Sequence, residues 1–313
     1  MGISAISLFE NNKHIKDLTI YLLGENISDE NKKIILGIGN KYKRNIVITD
    51  VPNIEIPESL VSARWPLSAF TRLFCAMLLP AEINRILYLD CDTVIIGDIA
   101  ELDKVELYEK VVFGVKDCIG YPYKKNIGLE NDDPYINAGV LLLNLVELRK
   151  INVKKIISEY MNKYEKFINY ADQDLLNGAF KEKIGILQPK YNVMTIDVVH
   201  SYKEIQTLRY PTNFYLETEF KNAVNNPTII HYTTNMRVIR PWYSNSNHPL
   251  NSIFDHYIKL SPWSNIKLKK MVFKSRESKI IGVIALFPKC ISYRILGIIH
   301  SRIKPLYIYL KTK

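Results

Sequence analysis

Apolar and polar positions alternate in two rhythms over the first 150 residues. GISAISLFENN places apolar residues at 3, 5, 6, 8 and 9, which predicts a short helix ending near Asn11 and Asn12. LTIYLLG is a short buried-type run closed by Gly24, so it reads as a strand. SDENKKIILGIGNKY opens on Ser28 with acids in its first turn, the signature of a helix start. NIVITDV predicts another strand. AFTRLFCAMLLP predicts a helix stopped by Pro80, and strands follow at 86–89 and at VVFGV, 111–115. AGVLLLNLVELRK reads as a strand running into a helix, with Asn144 where an N-cap is wanted.

Strand–helix alternation of this kind implies an α/β fold with a largely parallel sheet covered on both faces. Such sheets bind ligands at the carboxyl ends of their strands, and Asp90 lies at one of these ends. No internal repeat or low-complexity linker is visible. The apolar helix at 2–9 has no preceding strand to cross over from, which points to an unusual fold or to an incomplete N-terminus.

Composition narrows the class. With 313 residues, 47% hydrophobic and 24% charged, the chain has enough apolar surface for a sizeable core. Cys75, Cys91, Cys118 and Cys290 are scattered without a CxxC pair, which argues against a zinc knot or disulfide framework and suits a reducing compartment. The net charge of +10 is unevenly placed. Residues 264–313 hold twelve Lys or Arg against Glu277 alone, while the other 263 residues hold thirty basic and thirty-one acidic side chains. The body is nearly neutral, so nucleic-acid binding is not implied. No secretory signal opens the chain, the myristoylation pattern fails at Ile6, and no stretch reaches the roughly 18 apolar residues of a spanning helix.

Candidate chemistry begins at LYLDCDTVIIGDI. Asp90 and Asp92 sit two apart, so in extended chain both face the same side. Two adjacent carboxylates repel unless a cation lies between them, and a hard divalent metal resolves the conflict. A turn cap with a solvated partner explains the pair equally well. A haloacid-dehalogenase-like phosphatase would also place two acids after an apolar strand, but Thr93 follows the second acid one position too early. Three further segments matter together. YINAGVLLLNL sets Asn137, Ala138 and Gly139 before a buried run, with Gly139 permitting close backbone approach. ADQDLLNGAF groups Asp172, Gln173 and Asp174. HYTTNMRVIRPW brings His231 out of an apolar strand, with Arg237 and Arg240 behind it.

With FTRL, LYLDCDTVIIGDI, YINAGVLLLNL, DQDLLN and HYTTNMRVIRPW in this order, the chain resembles the retaining glycosyltransferases of family 8 over roughly residues 2 to 245. The family includes bacterial lipopolysaccharide galactosyl- and glucosyltransferases and glycogenin. The resemblance implies a GT-A fold, a mixed sheet with a Rossmann-like nucleotide-binding half, and use of Mn²⁺ (Mg²⁺ as second choice) with UDP-galactose or UDP-glucose. It makes Asp90, Asp92 and His231 the metal ligands, a donor set that suits Mn²⁺ better than an all-oxygen Mg²⁺ cage. Arg72, Asp90, Asn137, Ala138 and Gly139 line the donor site, Asp172 grips sugar hydroxyls, and the Gln173 amide oxygen faces the anomeric carbon. Asp117 falls where an acceptor contact is expected. Either Arg237, by its offset from His231, or Arg240, by its contact with Pro241, replaces the family's diphosphate-binding lysine; Arg240 is preferred. The family begins with a strand and an acidic, Tyr-containing loop that binds uracil and ribose. Met1 to Ser4 match the helix after that loop, so the resemblance also implies a missing first strand, and a catalytically impaired UDP-sugar-binding scaffold becomes the alternative function.

Residues 264–313 interleave Lys and Arg with Ile, Leu, Val, Phe and Tyr, as helices lying on an anionic membrane do. The competing reading is a helix docked on the protein's own core with a solvated basic face. The expected organisation is a catalytic domain over 1–245 and a membrane-surface region over 246–313. The expected setting is the inner face of the cytoplasmic membrane, where a lipid-linked saccharide acceptor is extended for lipopolysaccharide or capsule synthesis.

Overall fold

The computed structural model describes residues 1–51, 70–273 and 275–312. Ala69 of the predicted helix, and Lys274 and Lys313 of the basic tail, lie outside the described residues.

The chain opens with helix α1, Gly2–Asn11, followed by strand β1, Thr19–Gly24, helix α2, Asp29–Tyr42, and strand β2, Asn45–Asp50. Ser28 caps α2 by accepting from Asn31 N, and Asp29 and Glu30 favour its positive end. The chain leaves α2 through Lys43 in the left-handed region. β1 and β2 pair in parallel. In place of one long helix, the segment before Pro80 forms a 3-10 turn, Thr71–Phe74, running into a single α-turn, Cys75–Leu78.

Four strands form the central sheet: β3 (Arg85–Leu89), β5 (Val112–Lys116), β6 (Ile136–Asn144) and β7 (Ile184–Ile186), in the order β3-β6-β5-β7. Three more form a smaller one around β4 (Thr93–Ile95), β8 (Val193–Met194) and β9 (Ile229–His231), in the order β4-β9-β8. The sheets are mixed, which corrects the expectation of a largely parallel one. β6 runs antiparallel to both β3 and β5, whereas β5 and β7 are parallel. All nine residues of β6 are buried. Leu141 and Leu143 enter one core cluster, Val140 a second and Leu142 a third, so this strand alternates between cores on its two faces. Each aliphatic side chain so buried contributes roughly 1.5–3 kcal/mol. Asn144 then turns the chain into a helix by accepting from Glu147 N.

Helix α1 is packed rather than loose. Ala5, Ile6, Leu8 and Phe9 enter the core beside β4 and β9. Its polar residues complete the edge of β4: Ser7 Oγ accepts from Ile95 N at 2.9 Å, and Asn11 Nδ2 donates to Ile95 O at 3.0 Å. Among the described residues that edge of β4 has no strand neighbour, and helix side chains satisfy it instead. Helix α4, Asn251–Leu260, joins the same cluster through Phe254 and Tyr257.

Asp197, in the short helix Thr195–Val199, caps Met194 N at 2.9 Å with one carboxylate oxygen, while the other finds no partner among the described residues. Burial, with the Asp117 charge adding and the Met194 bond opposing, pushes its pKa up to about 7. A carboxyl held protonated only in the folded state makes stability fall as pH rises from about 4 to about 7. Asp197→Asn, which keeps the capping oxygen, is expected to melt close to wild type at pH 4 and several degrees above it at pH 8. The two melting curves at the two pH values check this.

Candidate active site

Strand ends bring the predicted carboxylates and histidine together. β3 ends at Leu89, and its ladder continues one residue further, where Asp90 N donates to Gly139 O at 2.8 Å. β4 starts at Thr93, directly opposite His231 of β9, and Tyr232 N donates to Asp92 O at 3.0 Å. Asp90 and Asp92 thus occupy the crossing between two sheets, with His231 facing them. Ligand atoms of the three residues all lie within 4.8 Å of one another. His231 Nε2 is 3.2 Å from Asp92 Oδ1 and 3.7 Å from Asp90 Oδ2.

Electrostatics follow from this proximity. Burial raises the Asp92 carboxyl, but His231 and Arg240 outweigh it and hold the pKa below the usual carboxylate value. Burial lowers the His231 imidazole, and Asp92 and Asp90 together reverse that, so its pKa lies above the usual histidine value. Asp92 and the imidazole therefore favour charge on each other, and a divalent ion bound there would take the place of the imidazole proton.

Arg72 anchors the other flank. It is 8% exposed, yet its Nη2 lies 3.0 Å from Asp90 Oδ1 and its Nε 2.9 Å from Asp172 Oδ2. It also donates to Ala138 O and stacks 4.5 Å above the Tyr88 ring. Tyr88 Oη donates to Asp90 Oδ1 at 2.8 Å. A guanidinium buried between two carboxylates fixes both at once. Burial pushes Asp172 up to about 6, with Arg72 opposing and Asp90 adding.

Asn137, Ala138 and Gly139 join the flanks. Asn137 Nδ2 donates to Gln173 Oε1 at 3.0 Å and to Asp117 Oδ2 at 3.3 Å. Ala138 N donates to the same Gln173 oxygen at 3.1 Å, and Gln173 Nε2 donates to Asp117 Oδ2 at 3.1 Å. Gly139 has a sharper role than close approach in general. A Cβ there would stand 2.0 Å from His231 Cε1 and 2.9 Å from Asp90 Oδ2, so its missing side chain is the space that His231 and Asp90 occupy.

The two arginines part company. Arg240 Nη1 lies 3.3 Å from Asp92 Oδ2 and stacks 4.5 Å over Trp242. Arg237 is exposed and sits 5.7 Å over the Phe273 ring, near Gly282 of the tail.

Asn192 escaped sequence reasoning. It is fully buried, its Oδ1 is 3.0 Å from His231 Nδ1, and its Nδ2 donates to Asn137 Oδ1 at 2.9 Å. Gly139 N donates to that Asn137 oxygen at 3.0 Å. With His231 Nδ1 donating to Asn192, Nε2 is the nitrogen that faces the carboxylates, and loss of its proton would give the tautomer a metal ligand needs. An unbroken run of hydrogen bonds therefore leads from His231 through Asn192, Asn137 and Gln173 to Asp117. The one sequence signal was a lone Asn between Tyr191 and Val193 in an otherwise buried segment. Asn192→Ala is expected to weaken divalent-ion affinity by about 10–100-fold with little change in fold; calorimetric titration of Mn²⁺ checks it.

The donor set of two carboxylates and one oriented imidazole fits a divalent ion such as Mn²⁺. Comparison with known proteins agrees with this architecture. The model of Glycosyl transferase family 8 matches residues 1–246. The chain is 30% identical over 287 residues to the lipopolysaccharide 1,2-glucosyltransferase of Escherichia coli, covering 89% of this chain and 79% of that protein. It is 24% identical over 269 residues to general stress protein A of Bacillus subtilis, covering 85% and 91%. Among solved structures, the galactosyltransferase LgtC in complex with donor and acceptor sugar analogs superposes with a TM-score of 0.67 at 22% identity, over 83% of this chain and 91% of that one. The fold is accordingly the GT-A fold of the glycosyltransferases. A family match across most of the sequence, carried on a site whose parts the fold brings together, makes this chain a member of glycosyltransferase family 8.

Proposed function

We propose that this glycosyltransferase moves a hexose, galactose or glucose, from a UDP-sugar to a saccharide acceptor with retention of anomeric configuration, in lipopolysaccharide or capsular polysaccharide synthesis. The observation that carries the reading is the Asp90–Asp92–His231 cluster tied by continuous hydrogen bonds to Gln173. Asp90, Asp92 and His231 would hold a divalent ion, Mn²⁺ by preference, which when bound neutralises negative charge on the leaving diphosphate. The remaining work belongs to the chain's own groups. Arg72 keeps Asp90 and Asp172 in place, and Asp172, ionised at neutral pH beside that guanidinium, accepts hydrogen bonds from the donor sugar. Arg240 supplies a second positive charge beside the diphosphate.

Gln173 presents an amide oxygen already held by Asn137 and Ala138 N. An amide is a poor nucleophile, so departure and attack proceed on one face through an oxocarbenium-like pair, stabilised by preorganised dipoles. Asp117, fixed by Gln173 and Asn137, faces the acceptor. UDP-hexose turnover with and without Mn²⁺ tests this reading. Release of neither glycosylated product nor free hexose from several UDP-hexoses would refute it.

Residues 264–313 attach the enzyme peripherally to the inner face of the cytoplasmic membrane, close to a lipid-linked acceptor. Support comes from reversed amphipathicity in helices α5 (Arg276–Ile284), α6 (Lys289–Ile298) and α7 (Lys304–Thr312). Small residues are turned inward: Ser278, Ser292, Gly297 and Ser301 are buried. Large ones are turned outward: Val283, Phe287, Leu306 and Leu310 are exposed, and Leu286 is 84% exposed. A helix docked only for packing buries the large side chains instead. Flotation with anionic liposomes should carry the full chain upward and leave behind a variant with Leu286 and Phe287 changed to Ser; equal flotation of both removes the membrane assignment. No helix of the described residues is long and apolar enough to cross a membrane.

A further inference from the structure

Helices α6 and α7 are joined by a π-helical turn, Ile299–Ile303. Such turns re-aim side chains and are frequent at functional sites. This one buries Ser301, whose hydroxyl donates to Arg209 O at 2.8 Å, and directs His300 toward the catalytic body. His300 Nε2 is 3.2 Å from Tyr170 Oη, and the imidazole stacks on Tyr123 at 6.1 Å between ring centroids. Burial, with Arg209 and Lys304 adding, drives the His300 pKa down to about 2, so the ring is neutral. Its Nδ1 has no hydrogen-bond partner among the described residues, which leaves the Tyr170 bond as its polar anchor.

Tyr170 is the residue before helix α3, Ala171–Ala179, whose second and third residues are Asp172 and Gln173. Ala171 has φ +43°, in the left-handed region that a residue with a Cβ seldom occupies. Such a conformation persists only where its surroundings over-determine it, and it recurs at sites that must hold a fixed geometry. One support comes from within: Asp174 Oδ2 accepts from Asn169 N and Tyr170 N, both at 2.7 Å, and Asp174 Oδ1 accepts from Tyr135 Oη at 2.6 Å. The other comes from the tail. His300 holds Tyr170, Pro305 O accepts from Asn126 Nδ2 at 2.9 Å, and Tyr309 stacks on Phe167 at 6.3 Å. The tail therefore grips the chain at and just before the strained turn, at Tyr170 and Phe167.

We infer that His300 and Tyr170 are positioning residues for transfer: through their hydrogen bond the tail fixes the 170–171 turn and so aims Asp172 and Gln173. The inference rests on the reading above, in which those two residues face the donor sugar. The same tail carries the outward apolar side chains, so a surface that engages that outer face also steadies the catalytic turn.

The test uses the full chain with Mn²⁺ and a UDP-hexose, and follows hydrogen exchange of amides 169–175 alongside kinetics. Tyr170→Phe and His300→Leu are expected to lower kcat for donor turnover about 10-fold while KM for the donor and Mn²⁺ affinity stay within about 2-fold. Exchange at amides 171–175 should quicken about 10-fold in both variants. His300→Gln, which can still bond Tyr170 Oη, should recover kcat to within about 3-fold and restore the slow exchange. Unchanged exchange in Tyr170→Phe and His300→Leu overturns the inference, as does a loss of Mn²⁺ binding in step with kcat, which would mean general loosening. Faster exchange with the expected rescue, in a protein that turns over no UDP-hexose, upholds the positioning role and refutes the donor assignment instead.

Discussion

Asp92→Asn is expected to weaken Mn²⁺ binding by roughly 30- to 1000-fold and to abolish transfer at cellular metal concentrations. The size follows from charge. A carboxylate about 4 Å from a cation contributes up to about 4 kcal/mol per unit charge at an effective dielectric of 20, and the amide keeps only the dipolar part. The substitution also places an amide beside Arg240 Nη1, 3.3 Å from the present Oδ2, and beside His231 Nε2, 3.2 Å from Oδ1. With its oxygen kept toward Arg240, the amide NH₂ faces His231 Nε2 and engages the lone pair that a metal would use. Manganese titration by calorimetry or paramagnetic resonance measures the loss, and unchanged affinity would sink the metal assignment. The fold should survive, since Asp92 is partly exposed and its backbone ladder to Tyr232 is untouched.

Gly139→Ala has the second largest expected effect, and for a different reason. The new methyl would stand 2.0 Å from His231 Cε1 and 2.7 Å from its Nδ1. His231 is 4% exposed and bonded to Asn192, so it has nowhere to retreat without breaking that bond. Overpacking of this kind costs typically 1–3 kcal/mol. Relief comes by turning the imidazole out of the cluster. Activity should fall by at least about 100-fold and the melting temperature by several degrees, with Mn²⁺ affinity falling alongside. A Gly139→Ala protein that binds Mn²⁺ like wild type would show that the histidine tolerates displacement. The two substitutions differ in signature: one removes charge and leaves stability, the other removes space and lowers both.

Much of the site was legible because its residues stand at strand ends, where chemistry interrupts an apolar run. Asp90, Asp92, Asn137 and His231 each break such a run, and the structure brings these four into one network. Strand direction was less legible. The nine buried residues of β6 read the same forward and backward, so alternation alone could not reveal that β6 opposes both neighbours. Asn192 left only its lone polar position between Tyr191 and Val193, because a buried amide leaves no periodic trace. Spacing could not separate Arg237 from Arg240; in the structure Arg240 meets Asp92, whereas Arg237 meets Phe273. The tail's inner face was invisible for a related reason. Ser278, Ser292, Gly297 and Ser301 carry no hydrophobic signal, so docking through small residues could not be told from no docking at all.

The edge of β4 carries one more consequence. Its Ile95 backbone is completed by Ser7 and Asn11 of α1, and its first residue follows Asp92 directly. An ion held at Asp92 and His231 would brace β4 against β9 at Thr93, and α1 can leave only by unsealing that strand. Binding energy at the carboxylates is therefore shared with the first helix of the chain. At a hundredfold excess over Kd, occupancy adds about 2.7 kcal/mol to the folded state. Slowed amide exchange in α1 becomes a gauge of metal loading, read from a segment that has no ligand atom of its own.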